Sequence, residues 1–190
     1  YDLTAAMLDE VKRNAARRRL RNIRTLQGAA ESLPFEEGSF EIVTNRIAAH
    51  HFADIRKAVG EMSRVTKAGG RVAVIDTTVP EDERLAEEIN AIEALRDPSH
   101  VRNHRPSEWR AMLEAAGLAV TVCQVTMGTE GDELDFEDWT ARMRTPPERV
   151  AELERRFRSA SVALQDALDI RIDNGRITFR LPRVALVAVK

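Results

Sequence analysis

Cysteine is almost absent from this 190-residue chain: Cys123 stands alone. That excludes an internal disulfide and any zinc site built on several cysteines, and it favours a reducing compartment. Aromatic residues make up only 5%, too few for the stacking surfaces of a nucleic-acid binder. Neither sign of charge dominates: 29 basic and 31 acidic residues leave a formal charge of -2, so no global field draws in polyanions or a membrane surface. No apolar run approaches the roughly 18 residues that a membrane span requires. A cytoplasmic protein is expected. Repeats, low-complexity stretches and Ser/Gly linkers are also missing. What is present is ordinary: 43% hydrophobic content over 190 residues suffices for one sizeable core, so a single domain over 1–190 is expected.

Helix and strand patterns alternate as far as about Thr126, the signature of βαβ units around a mainly parallel sheet and hence of an α/β fold. Thr4 is placed to cap a helix with Met7, Leu8 and Val11 on its apolar face, running through Arg17-Arg18-Arg19 to Asn22. Ile23 to Gln27 and Phe40 to Thr44 read as strands. Asp54 caps a helix with Ile55, Val59, Met62 and Val65 on one face, closed by Gly69-Gly70, and the strand Arg71 to Ile75 ends at Asp76. A helix over Glu81 to Leu95 follows, then an irregular stretch over 96–102. Ser107 caps a helix over Glu108 to Ala116, which Gly117 stops before the strand Ala119 to Val125.

From Asp135 the pattern changes. Two helices, Phe136 to Met143 and Pro147 to Leu168, carry Val150, Leu153, Phe157, Leu164 and Leu168 at helical spacing. Residues 135–169 therefore read as a helical insertion or lid, and the same amphipathic face would serve a homodimer interface. Asn174-Gly175 signals a two-residue hairpin turn; the strand after it runs Ile177 to Val189, with Pro182 marking an edge or bulge.

The chain opens on Asp2-Leu3-Thr4-Ala5-Ala6-Met7-Leu8. In dinucleotide-type α/β folds an acid at the end of the second strand bonds a ribose, about 20 residues after a glycine-rich loop. Only Tyr1 precedes Asp2 here. Three further motifs follow in order: Gly28-Ala29-Ala30-Glu31-Ser32-Leu33-Pro34-Phe35, Ala49-His50-His51-Phe52 and Lys67-Ala68-Gly69-Gly70-Arg71. Together they resemble the class I S-adenosylmethionine-dependent methyltransferases, in the UbiE-like branch named for ubiquinone and menaquinone biosynthesis. Arg96-Asp97-Pro98-Ser99-His100-Val101-Arg102 is most similar to the YcgJ-type members of that branch.

The resemblance covers nearly the whole chain. It implies a Rossmann-like seven-stranded sheet with helices on both faces and an antiparallel last strand entered by the Asn174-Gly175 hairpin. It implies S-adenosyl-L-methionine as cofactor and methyl transfer to a small-molecule acceptor at C, O or N. It also implies a first strand and glycine-rich loop upstream of Tyr1. This chain by itself is therefore expected to lack a central strand of the sheet and to hold its cofactor at most in part.

Asp2 matches the family acid that binds both ribose hydroxyls, a task suited to a carboxylate that accepts two hydrogen bonds at once; the alternative is a solvated residue or a cap before the Thr4 helix. Leu3 would pack on the adenine. The family usually places an acid where Ala29 stands. Ala29 cannot accept, which leaves the Ala30 N–H, helped by Glu31, to recognise the base; losing one neutral hydrogen bond weakens binding by roughly tenfold or less. Asn45 and Arg46 follow a strand, and open α/β sheets bind ligands beyond the carboxyl ends of their strands. Asn45 is the candidate for the amino-acid end of the cofactor and Arg46 for a substrate carboxylate, through its planar fork. Loop hydrogen bonding is an equal alternative for both.

Methyl transfer from a sulfonium is an in-line displacement, so alignment supplies most of the catalysis and a base serves only acidic acceptors. His50, His51 and Asp76 are the titratable groups nearest the expected rim. An imidazole with an ordinary pKa of about 6.5 takes a proton from a phenol, enol or ammonium; alternatively one ring satisfies a loop carbonyl or caps the next helix, and Asp76 shapes the pocket. Arg96, His100, Arg102 and His104 are candidates to line the acceptor pocket. The histidine pairs lack a matching cysteine or carboxylate pattern, so no metal is expected. Arg13, Arg17, Arg18, Arg19, Arg21 and Arg24 read as a solvated face rather than an RNA site. The reading from a different class is a non-catalytic or degenerate partner subunit that keeps the fold, motivated by Ala29 and the absent glycine loop.

Overall fold

A computed structural model describes residues 1–127 and 132–190. Its first helix, Ala5–Arg17 (α1), begins at Thr4 without a bond from the threonine side chain; the Oδ1 of Asp2 accepts from the Thr4 N–H at 2.7 Å instead. The strand expected over Ile23 to Gln27 is reduced to one parallel bridge between Asp2 and Gln27. Ile23 and Leu26 remain exposed, so no buried side-chain face supports longer pairing there.

Phe40–Arg46 (β1) and Thr66–Thr77 (β2) pair in parallel, and Ile55–Val65 (α2) crosses between them. Ala58, Val59, Met62 and Val65 recur at helical spacing and are buried together. Asp54 caps α2 by accepting from the Lys57 N–H at 3.0 Å. The helix stops at Val65, short of the two glycines expected to close it, and these lie inside β2. Gly69 supplies a left-handed φ of +76°, and a Cβ on Gly70 would meet the carbonyl oxygens of Glu41 and Lys67 at 2.8 Å, so Gly70 serves close backbone approach.

Glu83–Arg96 (α3), Pro106–Ala115 (α4) and Ala119–Thr126 (β3) follow. Ser107 is not the cap of α4. Its hydroxyl bonds Glu81, while Glu108 accepts from the Arg105 N–H at 2.9 Å. The chain then forms Leu134–Asp135 (β4), Phe136–Arg142 (α5), Pro147–Arg158 (α6), Val162–Leu168 (α7), Arg171–Asp173 (β5), Arg176–Phe179 (β6) and Arg183–Val189 (β7). The long helix expected over Pro147 to Leu168 is two helices, because Ser161 caps a new one by accepting from the Leu164 N–H.

The main sheet has the order β1-β2-β7-β3, with β7 antiparallel to both neighbours. The antiparallel last strand stands as the resemblance implied, but the Asn174-Gly175 turn does not lead into it. That turn joins β5 to β6 in a separate sheet of order β4-β6-β5. Pro182 has no N–H for a ladder, so the expected run from Ile177 to Val189 breaks into two strands in different sheets. No described strand joins the Asp2–Gln27 bridge to β1, and the main sheet has four described strands where seven were implied.

Among the described residues, the buried apolar side chains form two main clusters. One lies between the main sheet and helices α2 and α4, around Val59, Val72, Val74, Trp109, Leu113 and Leu186. The other joins α3 to the 135–180 region, around Ile89, Ile92, Trp139, Phe157, Leu164 and Phe179. Each fully buried Leu, Ile or Phe contributes about 1.5–3 kcal/mol, so this second cluster is a core in its own right. It consumes the amphipathic face of α6 and α7. No described helix is long and apolar enough to cross a membrane.

Candidate functional site

A cavity of about 860 Å³ opens at the carboxyl end of β1, between that strand and the segment at the Asp2–Gln27 bridge. One wall carries Asp2, Leu3, Met7, Gly28, Ala29, Ala30 and Glu31; the other carries Thr44, Asn45, Ile47, Ala48, His51, Phe52 and Ser99. All six expected cofactor-side residues thus line one space. Asp2 has Oδ1 engaged by the Thr4 N–H, so Oδ2 is the oxygen left to the cavity. Gly28 donates its N–H to the Asp2 carbonyl at 3.0 Å, and a Cβ there would lie 1.8 Å from the Tyr1 hydroxyl. Glu31 is partly committed, its Oε1 accepting from the Asp54 N–H at 3.2 Å. Leu33 and Phe35 also line the cavity: Phe35 meets Phe40 edge-on at 4.9 Å, and the Leu33 carbonyl accepts from Arg64.

Asn45 Oδ1 is buried in the cavity wall without a hydrogen-bond partner. A buried acceptor left unpaired costs about 1–3 kcal/mol, so this atom favours a donor from a ligand. Two residues on, Ile47 has φ +49°, a left-handed conformation that a β-branched residue rarely adopts. Its N–H donates to the Ile75 carbonyl at 2.8 Å and holds it there.

The two adjacent histidines sit on the single helical turn Ala49–His51, with ring centroids 4.1 Å apart. His50 Nδ1 lies 2.6 Å from Asp76 Oδ1, which also accepts from the Thr77 N–H, while Oδ2 accepts from the Ala49 and His50 N–H groups. Asp76 therefore acts as an acceptor at both oxygens, so Nδ1 of His50 carries the proton and Nε2 the lone pair. His51 Nδ1 lies 2.9 Å from the Ser99 carbonyl, which fixes the same tautomer. Only His51 reaches the cavity wall; His50 and the buried Asp76 stand behind it.

The arginines expected at the acceptor end do not gather there. Arg46 is exposed and absent from the cavity lining. Arg96 lies over the Trp139 ring at 4.7 Å and donates to the Trp139 carbonyl at 3.1 Å, because the second core draws its guanidinium away. Arg102 pairs with Glu108 at 2.8 Å and, with Arg56 and His104, borders a separate cavity of about 270 Å³. His100 is buried; it lies 5.7 Å from the His50 ring and is bonded through Nε2 to Asn90 Oδ1 at 3.0 Å. Burial pushes its pKa down to about 4, and burial also lowers that of His104.

Sequence reasoning passed over Thr77, Asn90, Glu93 and Asn103. Thr77 donates to Asn103 Oδ1 at 2.5 Å, and Asn90 Oδ1 accepts from the Asn103 N–H at 2.6 Å. Glu93 is buried, and burial lifts its carboxyl to about 7. A signal existed: Asn90 and Glu93 are polar residues one turn apart on the face of α3 that also carries Ala86 and Ile89.

Comparison with known proteins follows the same lines. The family described as a methyltransferase domain matches residues 1–74. The chain is 40% identical to the uncharacterized protein YafE of Escherichia coli over 173 residues, covering 91% of this chain and 82% of that one. It is 39% identical to the uncharacterized methyltransferase YcgJ of Bacillus subtilis, over 100% of this chain and 74% of that one. The crystal structure of the Bacillus YcgJ protein superposes with a TM-score of 0.89 at 36% identity, covering 99% of this chain and 80% of that one.

Proposed function

Because the chain belongs to the YcgJ-like class I methyltransferases, whose reaction is S-adenosylmethionine-dependent methyl transfer, we propose that it methylates a small molecule held against the histidine wall of the cavity. S-adenosyl-L-methionine, when bound, supplies an electrophilic methyl group to an in-line acceptor. Asp2 Oδ2 would hold the ribose, Leu3 the adenine face and the Ala30 N–H a ring nitrogen, with Glu31 at the edge of the base and Ala29 offering no acceptor. Asn45 Oδ1 would accept from the amino group. The residues fit the cofactor on one observation above all: Asn45 Oδ1 is a buried, unpartnered acceptor in the cavity wall.

At the other end His51 lines the cavity, its Nε2 4.0 Å from Asp97 Oδ2, and with that carboxylate beside it the ring would take a proton from an acceptor O–H or N–H. His50, fixed by Asp76, backs the His51 ring. Arg46, Arg96 and Arg102 have no role as acceptor ligands in this reading, since each is exposed or engaged elsewhere, and His100 stands behind the cavity lining rather than in it. No described residue of 135–169 lines the cavity, so these helices would serve as a second core rather than as a lid over the site, supported by the complete burial of Leu153, Phe157 and Leu164. A cytoplasmic location belongs to the same reading, supported by the lone Cys123.

Calorimetry with S-adenosylhomocysteine on the whole protein tests this. Binding is expected, weakened roughly tenfold by Asn45→Ala and further by Asp2→Ala. No binding at millimolar ligand would overturn the proposal.

A further inference from the structure

Behind the His50–Asp76 pair lies a buried polar patch whose own hydrogen bonds do not use it up. Asn90 fills all four of its hydrogen-bonding positions. Its Oδ1 accepts from His100 Nε2 at 3.0 Å and from the Asn103 N–H at 2.6 Å, and its Nδ2 donates to the Ala86 and Asn103 carbonyls at 3.0 and 3.1 Å. Asn90 thereby clamps the 100–103 segment against α3. The patch connects to the histidine pair, since Thr77 donates its hydroxyl to Asn103 and its N–H to Asp76.

Three polar atoms here have no partner: His100 Nδ1, Asn103 Nδ2 and Glu93 Oε1. Their residues are only 8%, 1% and 4% exposed. Asn90 holds His100 and Asn103 directly, and Glu93 stands one turn from Asn90 on the same helix. Their chemistry is complementary. With Nε2–H given to Asn90, His100 Nδ1 is a bare lone pair; Asn103 Nδ2 is a donor; a carboxyl serves as either. A hydroxyl supplies what this set asks for, donating one proton and accepting another, and buried polar sites with two to four such partners are where oxygens settle.

We propose that His100, Asn103 and Glu93 form a buried subsite for a hydroxyl oxygen, behind the His50–Asp76 pair, taken by water or by a hydroxyl group of the methyl acceptor. Burial keeps His100 neutral down to about pH 4 and lifts Glu93 to about 7, so near neutrality the first accepts and the second donates or accepts. The charged and titratable groups facing them are His50 and His51, Asp76 of β2, and Arg96 and Asp97 at the end of α3. The cavity reaches Ser99, next in sequence to His100, and His51, whose ring stacks on His50. The acceptor-hydroxyl source rests on the reading of that cavity as the methyl-transfer site; the water source does not.

Crystal structures of the whole protein test the subsite, first unliganded and then with S-adenosylhomocysteine and phenol as the hydroxyl probe. An ordered oxygen within about 3.2 Å of at least two of the three atoms is expected. Water in both crystals assigns the site to water, and a phenol oxygen in the second assigns it to the acceptor. A site without an oxygen in both overturns the proposal. In solution, cross-relaxation between water and the Asn103 side-chain amide is expected in the wild type, and its absence overturns the water source. The unliganded crystal needs no cofactor, so failure to bind S-adenosylhomocysteine, which sinks the proposed function, leaves this test standing.

Discussion

His50 donates its Nδ1–H to Asp76 Oδ1 at 2.6 Å, and the same carboxylate takes the backbone N–H groups of Ala49 and Thr77. One buried side chain thus sets both the tautomer of the ring and the turn on which the ring rides. It ties the end of β2 to the 49–51 turn, across the mouth of the main sheet.

Replacing Asp76 with Asn puts an NH2 group against at least one of those donors. Each buried donor left unpaired costs about 1–3 kcal/mol, so Asp76→Asn is expected to lower the free energy of urea unfolding by at least that much. An unchanged denaturation midpoint would show that the carboxylate is not what holds the turn.

His51 alone of the two histidines faces the cavity. A positioned base contributes on the order of 10²–10⁴ in rate. With an acceptor carrying an O–H or N–H, His51→Gln should therefore lose about 10²-fold or more in kcat while S-adenosylhomocysteine affinity holds. Equal losses in both would place His51 with the cofactor instead.

Glu93 and His100 pull stability in opposite directions with pH. The carboxyl, raised from 4.5 to about 7 by burial, binds its proton more tightly when folded, so its contribution falls as pH rises from about 4.5 to 7. The imidazole, lowered from 6.5 to about 4, holds its proton less tightly when folded, so its contribution falls as pH drops from 6.5 toward 4. In the wild type the two slopes oppose each other across their shared window. Glu93→Gln should expose the acid-side loss alone, and His100→Asn should expose the loss on the alkaline side, on the order of 3 kcal/mol. Parallel stability profiles for the two variants would refute the assignment.

Ile47 occupies a left-handed conformation at φ +49°, and the residue is 37% exposed. That conformation costs a non-glycine residue about 1–2 kcal/mol, and asparagine tolerates it better. Ile47→Asn keeps the N–H bond to Ile75 and is expected to raise the unfolding free energy by roughly 0.5–1 kcal/mol. A loss of stability would mean that the isoleucine packs more tightly than its exposure indicates.

Arg96 separates a structural from a substrate role. Arg96→Gln removes the guanidinium from the Trp139 face and from beside buried Glu93. The expected cost is about 1–3 kcal/mol in chemical denaturation, through the lost charge-assisted bond and the face contact, with no rise in KM for the acceptor. A rise in KM without loss of stability would return Arg96 to the acceptor pocket.

Much of the cavity lining was legible because its cues are local. Asp2, Gly28 to Glu31 and the Ala49–Phe52 run were singled out by short motifs shared with a family, and Asn45 by its place after a strand. The placement of the arginines was not legible for the opposite reason: Arg96 turns to Trp139, 43 residues on, and Arg102 to Glu108, six residues on across a helix start, at no spacing that a single element sets. Pro182 was read as an edge or bulge within one strand, whereas its effect, sending β6 and β7 into different sheets, is a matter of topology. Ile47 gave no signal at all, since a β-branched side chain argues against the conformation it holds. Asn90 and Glu93 were within reach, as polar residues on an otherwise apolar helical face.

The strand that comes seventh in chain order, β7, lies in the interior of the main sheet, bonded to β2 on one side and β3 on the other. Until Arg183–Val189 is available, both neighbours present an unpaired edge, and unpaired edges recruit other chains. A nascent chain therefore carries two open edges until that strand arrives, and the sheet can zip shut only then. Loss of a few residues from β7 would not fray a margin; it would divide the sheet in two, leaving β3 and α4 on one side and the cavity-bearing strands on the other.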